Sequence, residues 1–294
     1  MRIVIVGSGY VGKSIGSYMS KLGHEVFYYD SSKKVLDDLK RLGENVIYSP
    51  KEFPRNVDVY AISVPTPVRN DGTQDLSAVI NALGSIATPL RENSSNKPII
   101  MIKSTILPLT TEKKIIPHLK EITGLNPNKD FGIIYSPEFI TEIHHTWTDD
   151  PRFAINAEKE MLVIGESNIK VWGDIIVNEL YLGRKKAFRT NYRTAEAIKY
   201  VLNAALATRI SFWNEIFLIM EKLDIDSDVI AKIVGSDPRV GPYGTVHKKA
   251  FGGKCLPKDL KTFIKFAEKY HNPVLLKAVQ YINEYMASHY GVRE

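Results

Sequence analysis

The sequence predicts an α/β fold, with a doubly wound parallel sheet in the first half and an α-helical domain after it. Three observations carry this. Short β-branched runs alternate with amphipathic stretches from Arg2 to about Ile164. Three successive runs end in polar loops, which carry Thr66, Thr105 and Glu138 with Glu142. From about Asn191 to Leu223 there is neither glycine nor proline, which allows one helix of roughly 45 Å at 1.5 Å per residue. A length of 294 residues suits two domains, placed at 1–188 and 189–294.

Composition narrows the function classes. The chain is 44% apolar and carries a net charge of +6. No stretch reaches the roughly 18 apolar residues of a membrane span. Met1 leads straight into a strand, without the basic-then-apolar pattern of an export signal, so a cytoplasmic protein is expected. A lone cysteine excludes an internal disulfide framework and suits a reducing compartment. No basic block is long enough to favour nucleic acid; the positive balance suits surface solubility or an anionic small substrate. His144 and His145 are adjacent and face different ways, so no metal site is expected.

Taken in order, Arg2-Ile-Val-Ile-Val6 reads as a buried parallel strand. Gly7-Ser-Gly-Tyr-Val-Gly12 follows, then a helix to about Leu22 and a second strand, Glu25 to Tyr29, ending at Asp30. Gly7 allows the tight turn, Gly9 lets backbone approach a pyrophosphate, and Gly12 lets helix and strand pack closely. The helix N-terminus, at about Val11 with Tyr10 just before it, offers N–H groups to phosphates. Asp30, 18 residues beyond Gly12, is placed to accept from ribose hydroxyls. With strand, helix, strand and acid in register, this is a Rossmann-type dinucleotide site. The acid favours NAD over NADP, although Lys33 and Lys34 lie close by. Lys34 is a candidate contact for the adenosine ribose; solvated first-turn lysines are the alternative.

Further strands are expected at Val57–Ile62, Pro98–Ile102 and Phe131–Tyr135, with helices from Leu76 to Leu90 and from about Thr110. These strands run into Ser63-Val-Pro-Thr-Pro67, Lys103-Ser-Thr105 and Ser136-Pro-Glu-Phe-Ile-Thr-Glu142. Thr66, Thr105, Glu138 and Glu142 are therefore expected along one cleft at the carboxyl edge of the sheet. A further strand, Met161 to Ile164, precedes a helix.

On the long helix, apolar residues recur around much of the girth, among them Ile198, Leu202, Ala205, Phe212, Ile216 and Ile219. Such a helix is enclosed by other elements or by a partner, and a homodimer through residues 191–223 is expected. Glu196, Lys199 and Asn203 fall on one face. A Lys–Asn pair one turn apart can hold an oxyanion. Spacing alone leaves open an ordinary Glu196–Lys199 helix pair instead. A shorter helix, Asp226 to Val234, and a turn-rich loop lead to Phe251-Gly-Gly-Lys-Cys-Leu-Pro-Lys-Asp259. Cys255 is flanked by Lys254 and Lys258 and opens a helix; both features favour thiolate over thiol. A last helix runs from Pro273 to about Tyr290.

These residues together resemble the UDP-glucose/GDP-mannose 6-dehydrogenase family. The motifs carrying the resemblance are Gly7 to Gly12 with Asp30, Val64-Pro-Thr-Pro67, Lys103-Ser-Thr105, Ser136-Pro-Glu-Phe139 with Glu142, Ala195-Glu-Ala-Ile-Lys199 with Asn203, Asn214-Glu215, Asp237-Pro-Arg239 and Phe251 to Asp259. The resemblance implies an enzyme that oxidises C6 of a nucleotide sugar to a carboxylate, with two NAD and four electrons. It implies that Cys255 holds the C6 carbonyl as a thiohemiacetal and then a thioester. Lys199 and Asn203 would stabilise oxyanions. Asp259 and Thr105 would orient or deprotonate water, while Glu142 would assist hydrolysis and Glu138 shape the site. Thr66 and Thr105 would touch the nicotinamide half of NAD. Glu138, Phe139, Phe251 and Gly252 would line the sugar, and Arg239 would reach the substrate of a neighbouring subunit.

There are departures. The family's further α/β domain, of on the order of 100 residues, has no counterpart after Tyr290, so a short form is expected. The family's arginine after Ser-Pro-Glu-Phe is Thr141, and its glycine-rich loop before Phe251 is His247-Lys-Lys-Ala250. These fall on substrate recognition, where His247, Lys248 and Lys249 could meet a pyrophosphate as bare charge or simply be solvated. UDP-glucose is the expected substrate. A two-electron β-hydroxyacid-type dehydrogenase, with no use for Cys255, and a non-catalytic NAD-binding protein are the competing readings.

Overall fold

A computed structural model describes residues 1–141, 147–149 and 154–293. The chain forms two compact units. The first comprises Met1–Pro67, Asp75–Ile140 and Asn156–Lys199; the second comprises Val68–Gln74, Thr141–Ile155 and Tyr200–Glu294.

The first unit is built on eight strands: β1 (Arg2–Val6), β2 (Glu25–Tyr29), β3 (Asn45–Ile47), β4 (Val59–Ile62), β5 (Ile99–Ile102), β6 (Gly132–Tyr135), β7 (Leu162–Glu166) and β8 (Ala187–Asn191). Their order is β3-β2-β1-β4-β5-β6-β7-β8. Helices α1 (Tyr10–Lys21), α2 (Lys33–Arg41), α3 (Ser77–Glu92), α4 (Ile116–Thr123) and α5 (Val171–Ile175) join them. Strands β4, β5 and β6 are buried at every position, which is why they read as unbroken apolar runs rather than alternations. Strand order reverses between β1 and β4, and in such sheets ligands bind outside the carboxyl ends at that point. The parallel register aligns Val6 with Ile62, Ile62 with Ile102, and Ile102 with Tyr135. The loops carrying Gly7–Gly12, Thr66, Thr105 and Glu138 thus leave one edge together.

Two features differ from the expected all-parallel sheet. Strand β7 runs antiparallel to β6, meeting it at Tyr135 and Gly165, and β8 then pairs parallel with β7. Residues 141–155 of the β6–β7 connection belong to the second unit, so the chain leaves the first unit after β6 and returns to it before β7. Strands β3 and β8 were also not foreseen: β3 is three residues long, and β8 carries Arg189 and Thr190 on a partly exposed edge.

Helix α6 (Tyr192–Lys222) supplies its first turns to the first unit and the remainder to the second. The second unit adds α7 (Ser227–Gly235), β9 (Ala250–Phe251), α8 (Leu256–Ala267), α9 (Val274–Tyr290) and β10 (Val292–Arg293). Its core gathers Trp147, Ala207, Ile210, Phe251, Leu260, Ile264 and Val279. The two short strands pair parallel, Ala250 with Val292 and Phe251 with Arg293. Val201, Phe212 and Ile219 on α6 are about half exposed, at 54%, 50% and 48%. Among the described residues no helix is long and apolar enough to cross a membrane.

Candidate functional site

In the first unit the glycine turn is tailored atom by atom. Gly7 has φ +93°, a region that L side chains rarely adopt, and its N–H donates to Tyr29 O at 2.9 Å. A Cβ on Gly12 would stand 2.1 Å from Gly7 O. Gly9 differs: its φ is −69° and a Cβ there would meet nothing within 4 Å. Its bareness clears space over the N-terminus of α1, where the first N–H groups of a helix lack intrahelical acceptors. Asp30 is fixed at both oxygens, accepting from Ser8 N–H at 2.7 Å and Ser32 N–H at 2.8 Å, which leaves one lone pair on each for a ligand. It borders a hollow shared with Lys33, Leu36, Lys40 and Tyr48. Lys34, the expected ribose contact, is exposed on the first turn of α2. An emptied cradle, a helix N-terminus and a rigid acceptor fit a dinucleotide.

Along the same edge the loops are tied to one another. Thr66 is buried and its Oγ1 donates to Thr105 O at 2.7 Å. Ser104 Oγ accepts from Val64 N–H at 2.9 Å and donates to Val64 O at 2.7 Å. Glu138 accepts from Ile140 N–H at 2.8 Å through one oxygen and pairs with Lys199 Nζ at 3.3 Å through the other. The Lys199 ammonium also lies 5.5 Å from the ring centroid of Phe139. Glu196 is fully buried and receives the Leu109 and Thr111 N–H groups, each at 2.7 Å. Burial pushes its carboxyl above the usual range, against the lowering effect of those bonds. The Glu196–Lys199 helix pair is therefore not formed. The shared face was readable from spacing, but each side chain takes its partner from a different loop.

In the second unit Cys255 is half-buried, caps the N-terminus of α8, and is not in a disulfide. Its carbonyl accepts the first helical bond from Asp259 N–H at 2.9 Å, so Cys255 and Asp259 share one turn. Asp259 is 2% exposed; it accepts from Asn203 Nδ2 at 2.6 Å and pairs with Lys258 Nζ. Asn203 is also buried and stands one turn beyond Lys199 on α6.

The other expected contacts are placed less simply. Arg239 is exposed and doubly bonded to Asp237, at 3.0 Å and 2.7 Å. Phe251 has its side chain in the core and its backbone clamped by Asn283, which accepts from Phe251 N–H at 2.7 Å and donates to Phe251 O at 3.1 Å. Asn283 sits mid-helix and nothing in its sequence context announces this clamp. Gly252 N–H donates to Arg293 O at 3.2 Å. His247 is no bare charge: it is buried, bonded to Ser227 Oγ and Thr245 O at 2.8 Å and 2.6 Å, and burial lowers its pKa. Lys248 pairs with Asp228, which leaves Lys249 as the exposed cation of that segment. Asn214 braces the same segment through Lys248 N–H and Lys249 O. Glu142, His144 and His145 lie outside the described residues. Among the described residues no group of three or more His, Cys, Asp or Glu could hold a metal ion.

The chain matches two family models. One, the NAD binding domain of the UDP-glucose/GDP-mannose dehydrogenase family, covers residues 45–181; the other, the family's central domain, covers residues 193–285. It is 30% identical to the putative UDP-glucose 6-dehydrogenase YtcA of Bacillus subtilis, over 97% of this chain and 68% of the relative. It is 32% identical to the GDP-mannose 6-dehydrogenase of Pseudomonas aeruginosa, over 89% and 63%. Among solved structures, a UDP-glucose dehydrogenase from the archaeon Pyrobaculum islandicum superposes with a TM-score of 0.83 at 27% identity, covering 98% of this chain and 68% of that one. The chain thus spans about two thirds of the length of the relatives it matches.

Proposed function

We propose that this chain, which belongs to the UDP-glucose/GDP-mannose dehydrogenase family, oxidises the C6 alcohol of a nucleotide sugar to a carboxylate in two steps on one enzyme, with UDP-glucose as the substrate. The family's cofactor is NAD, which fits the Gly9 cradle and Asp30; when bound it supplies the hydride acceptor for each oxidation. The observation that carries the four-electron reading is Cys255 at the mouth of α8 with the buried Asp259–Asn203 pair one turn on. A two-electron dehydrogenase needs no nucleophile there, whereas holding an aldehyde through a second oxidation needs a covalent anchor.

The residues divide the work. The Lys199 ammonium, steadied by Glu138, takes the negative charge that develops on the C6 oxygen, and Asn203 shares it. Cys255 sulfur adds to the aldehyde carbon to give a thiohemiacetal, which becomes a thioester on loss of the second hydride. Asp259 and Thr105 orient the water that attacks this thioester, with Glu142 assisting. The carboxylate leaves and the thiolate is restored; one sugar consumes one water and releases two reduced cofactors and three protons. Thr66 and Thr105 would flank the nicotinamide. Phe139, Arg239, Phe251 and Gly252 would shape the sugar end, Phe251 and Gly252 through backbone placement. In this reading residues 1–188 hold the cofactor and residues 189–294 carry the cysteine. The exposed apolar stripe of α6 pairs two copies of the chain in the cytoplasm.

The test is a panel of UDP- and GDP-sugars with NAD, monitored by NADH absorbance, on wild type and Cys255→Ser. Two NADH per sugar with wild type, and no net acid with the variant, are expected. One NADH per substrate, or full acid formation by the variant, would overturn the thioester route.

A further inference from the structure

Glu160 lies outside the residues given roles above, yet it is the hub of a buried charged cluster in the first unit. It stands just before β7, is 6% exposed, and faces two lysines, with Lys103 Nζ at 3.8 Å and Lys185 Nζ at 3.9 Å. Those lysines are 1% and 9% exposed. One carboxylate between two ammonium groups leaves a net positive charge inside the protein. Such a cluster is costly, and well-packed apolar residues of similar volume often serve stability as well or better. Burial duly pushes Lys185 down to about 8, with Glu160 opposing that shift.

What the cluster grips is specific. Lys185 is satisfied locally by Ala157 O and Glu160 O, over the rings of Tyr18 and Tyr181. The other two members reach the loop after β6. Lys103 Nζ donates to Pro137 O at 3.4 Å, and Glu160 accepts from Phe139 N–H at 2.9 Å. Those two backbone groups flank Glu138, whose carboxylate meets Lys199 while the Phe139 ring lies near the same ammonium.

We infer that Glu160, backed by Lys103, is a positioning residue: it clamps the backbone on both sides of Glu138, so that Glu138 and Phe139 hold Lys199 at the reacting oxygen. This rests on the role proposed for Lys199. Glu160→Ala removes both the acceptor and the counter-charge; Glu160→Gln keeps an acceptor for Phe139 N–H. Displacements of about 1 Å cost up to about a hundredfold in rate, so E160A should lower kcat at least about tenfold with KM within about twofold. E160Q should recover kcat to within about threefold of wild type. In a K199A background E160A should add less than about a further twofold, because Lys199 is what it positions. Lys103→Met removes the second anchor and leaves the cluster neutral; its kcat should fall about three- to tenfold, and it decides the matter if E160A does not fold. Unchanged kcat in folded E160A or, failing that, in K103M overturns the inference. So does an equal cost of E160A with and without Lys199. A second readout needs no turnover. The ε-methylene NMR signal of Lys199, assigned with K199A, should move in E160A and K103M and return towards wild type in E160Q. If wild type oxidises no nucleotide sugar, the proposed function falls, and that signal alone decides whether Glu160 positions Lys199; an unmoved signal in both E160A and K103M sinks it.

Discussion

Replacing Gly9 and Gly12 separately by alanine should give opposite signatures, because the structure leaves room at one and none at the other. At Gly12 the new Cβ would lie 2.1 Å from Gly7 O, whereas a carbon–oxygen contact settles near about 3.3 Å. Helix α1 must therefore back away from the turn by about 1.2 Å, the difference between those distances. Overpacking of this kind costs about 1–3 kcal/mol, or about 2–6 °C in Tm for a chain of this size. The same shift carries the helix N-terminus off the phosphates. Losing one or two charge-assisted bonds worth about 1.5–3 kcal/mol each weakens NAD at least about tenfold, and about a hundredfold for a loss near 3 kcal/mol. At Gly9 the Cβ meets nothing, so stability should change by less than about 1 kcal/mol. NAD affinity should still fall by at least about tenfold, because the methyl occupies the cradle. Calorimetric titration with NAD and thermal unfolding separate the two. G9A binding NAD as tightly as wild type would show that the cofactor does not lie over that residue. G12A with unchanged Tm and affinity would refute the close packing of α1 on the turn.

Asn203→Ala removes the donor to buried Asp259 and should cost the second unit about 1.5–3 kcal/mol in urea unfolding, with a larger loss for Asn203→Asp, which sets two carboxylates together. His247 has a folded pKa below the ordinary 6.5, so the unfolded chain takes the proton first and stability held above that pH is lost as pH falls through and below it. Urea midpoints between pH 8 and pH 5 should show this loss, and His247→Gln should flatten it. In the dimer proposed above, Phe212→Glu places a charge on the half-exposed stripe of α6 and should halve the particle mass seen by light scattering. Lys248→Ala should leave KM for the nucleotide sugar within about twofold, since that ammonium already pairs with Asp228, whereas Lys249→Ala raises it if the segment meets a pyrophosphate.

What could be read from the sequence was what lies close together along the chain. Gly7 to Asp30 spans one βαβ unit, and its glycines carry their geometric reasons in their spacing. The 31 residues of α6 were bounded closely by the absence of glycine and proline. Cys255 as the opening residue of a helix was likewise a local reading, and it is the N-cap residue of α8. What could not be read was pairing at a distance. Spacing put Glu196 and Lys199 on one face, but not that one would bind the Leu109–Thr111 turn and the other a carboxylate 61 residues earlier. The reversal at β7 was hidden for the same reason, since strand direction depends on where the intervening chain travels. His247 looked like part of a cationic cluster because burial leaves no mark on a short polar run.

The pairing of β10 with β9 makes the last described residues a leash on the loop before Cys255. Arg293 O holds Gly252 N–H, and Gly252 is three positions before the sulfur. Load applied to Arg293, by a fused tag or a tethering surface, would thus pull directly on the loop that precedes Cys255.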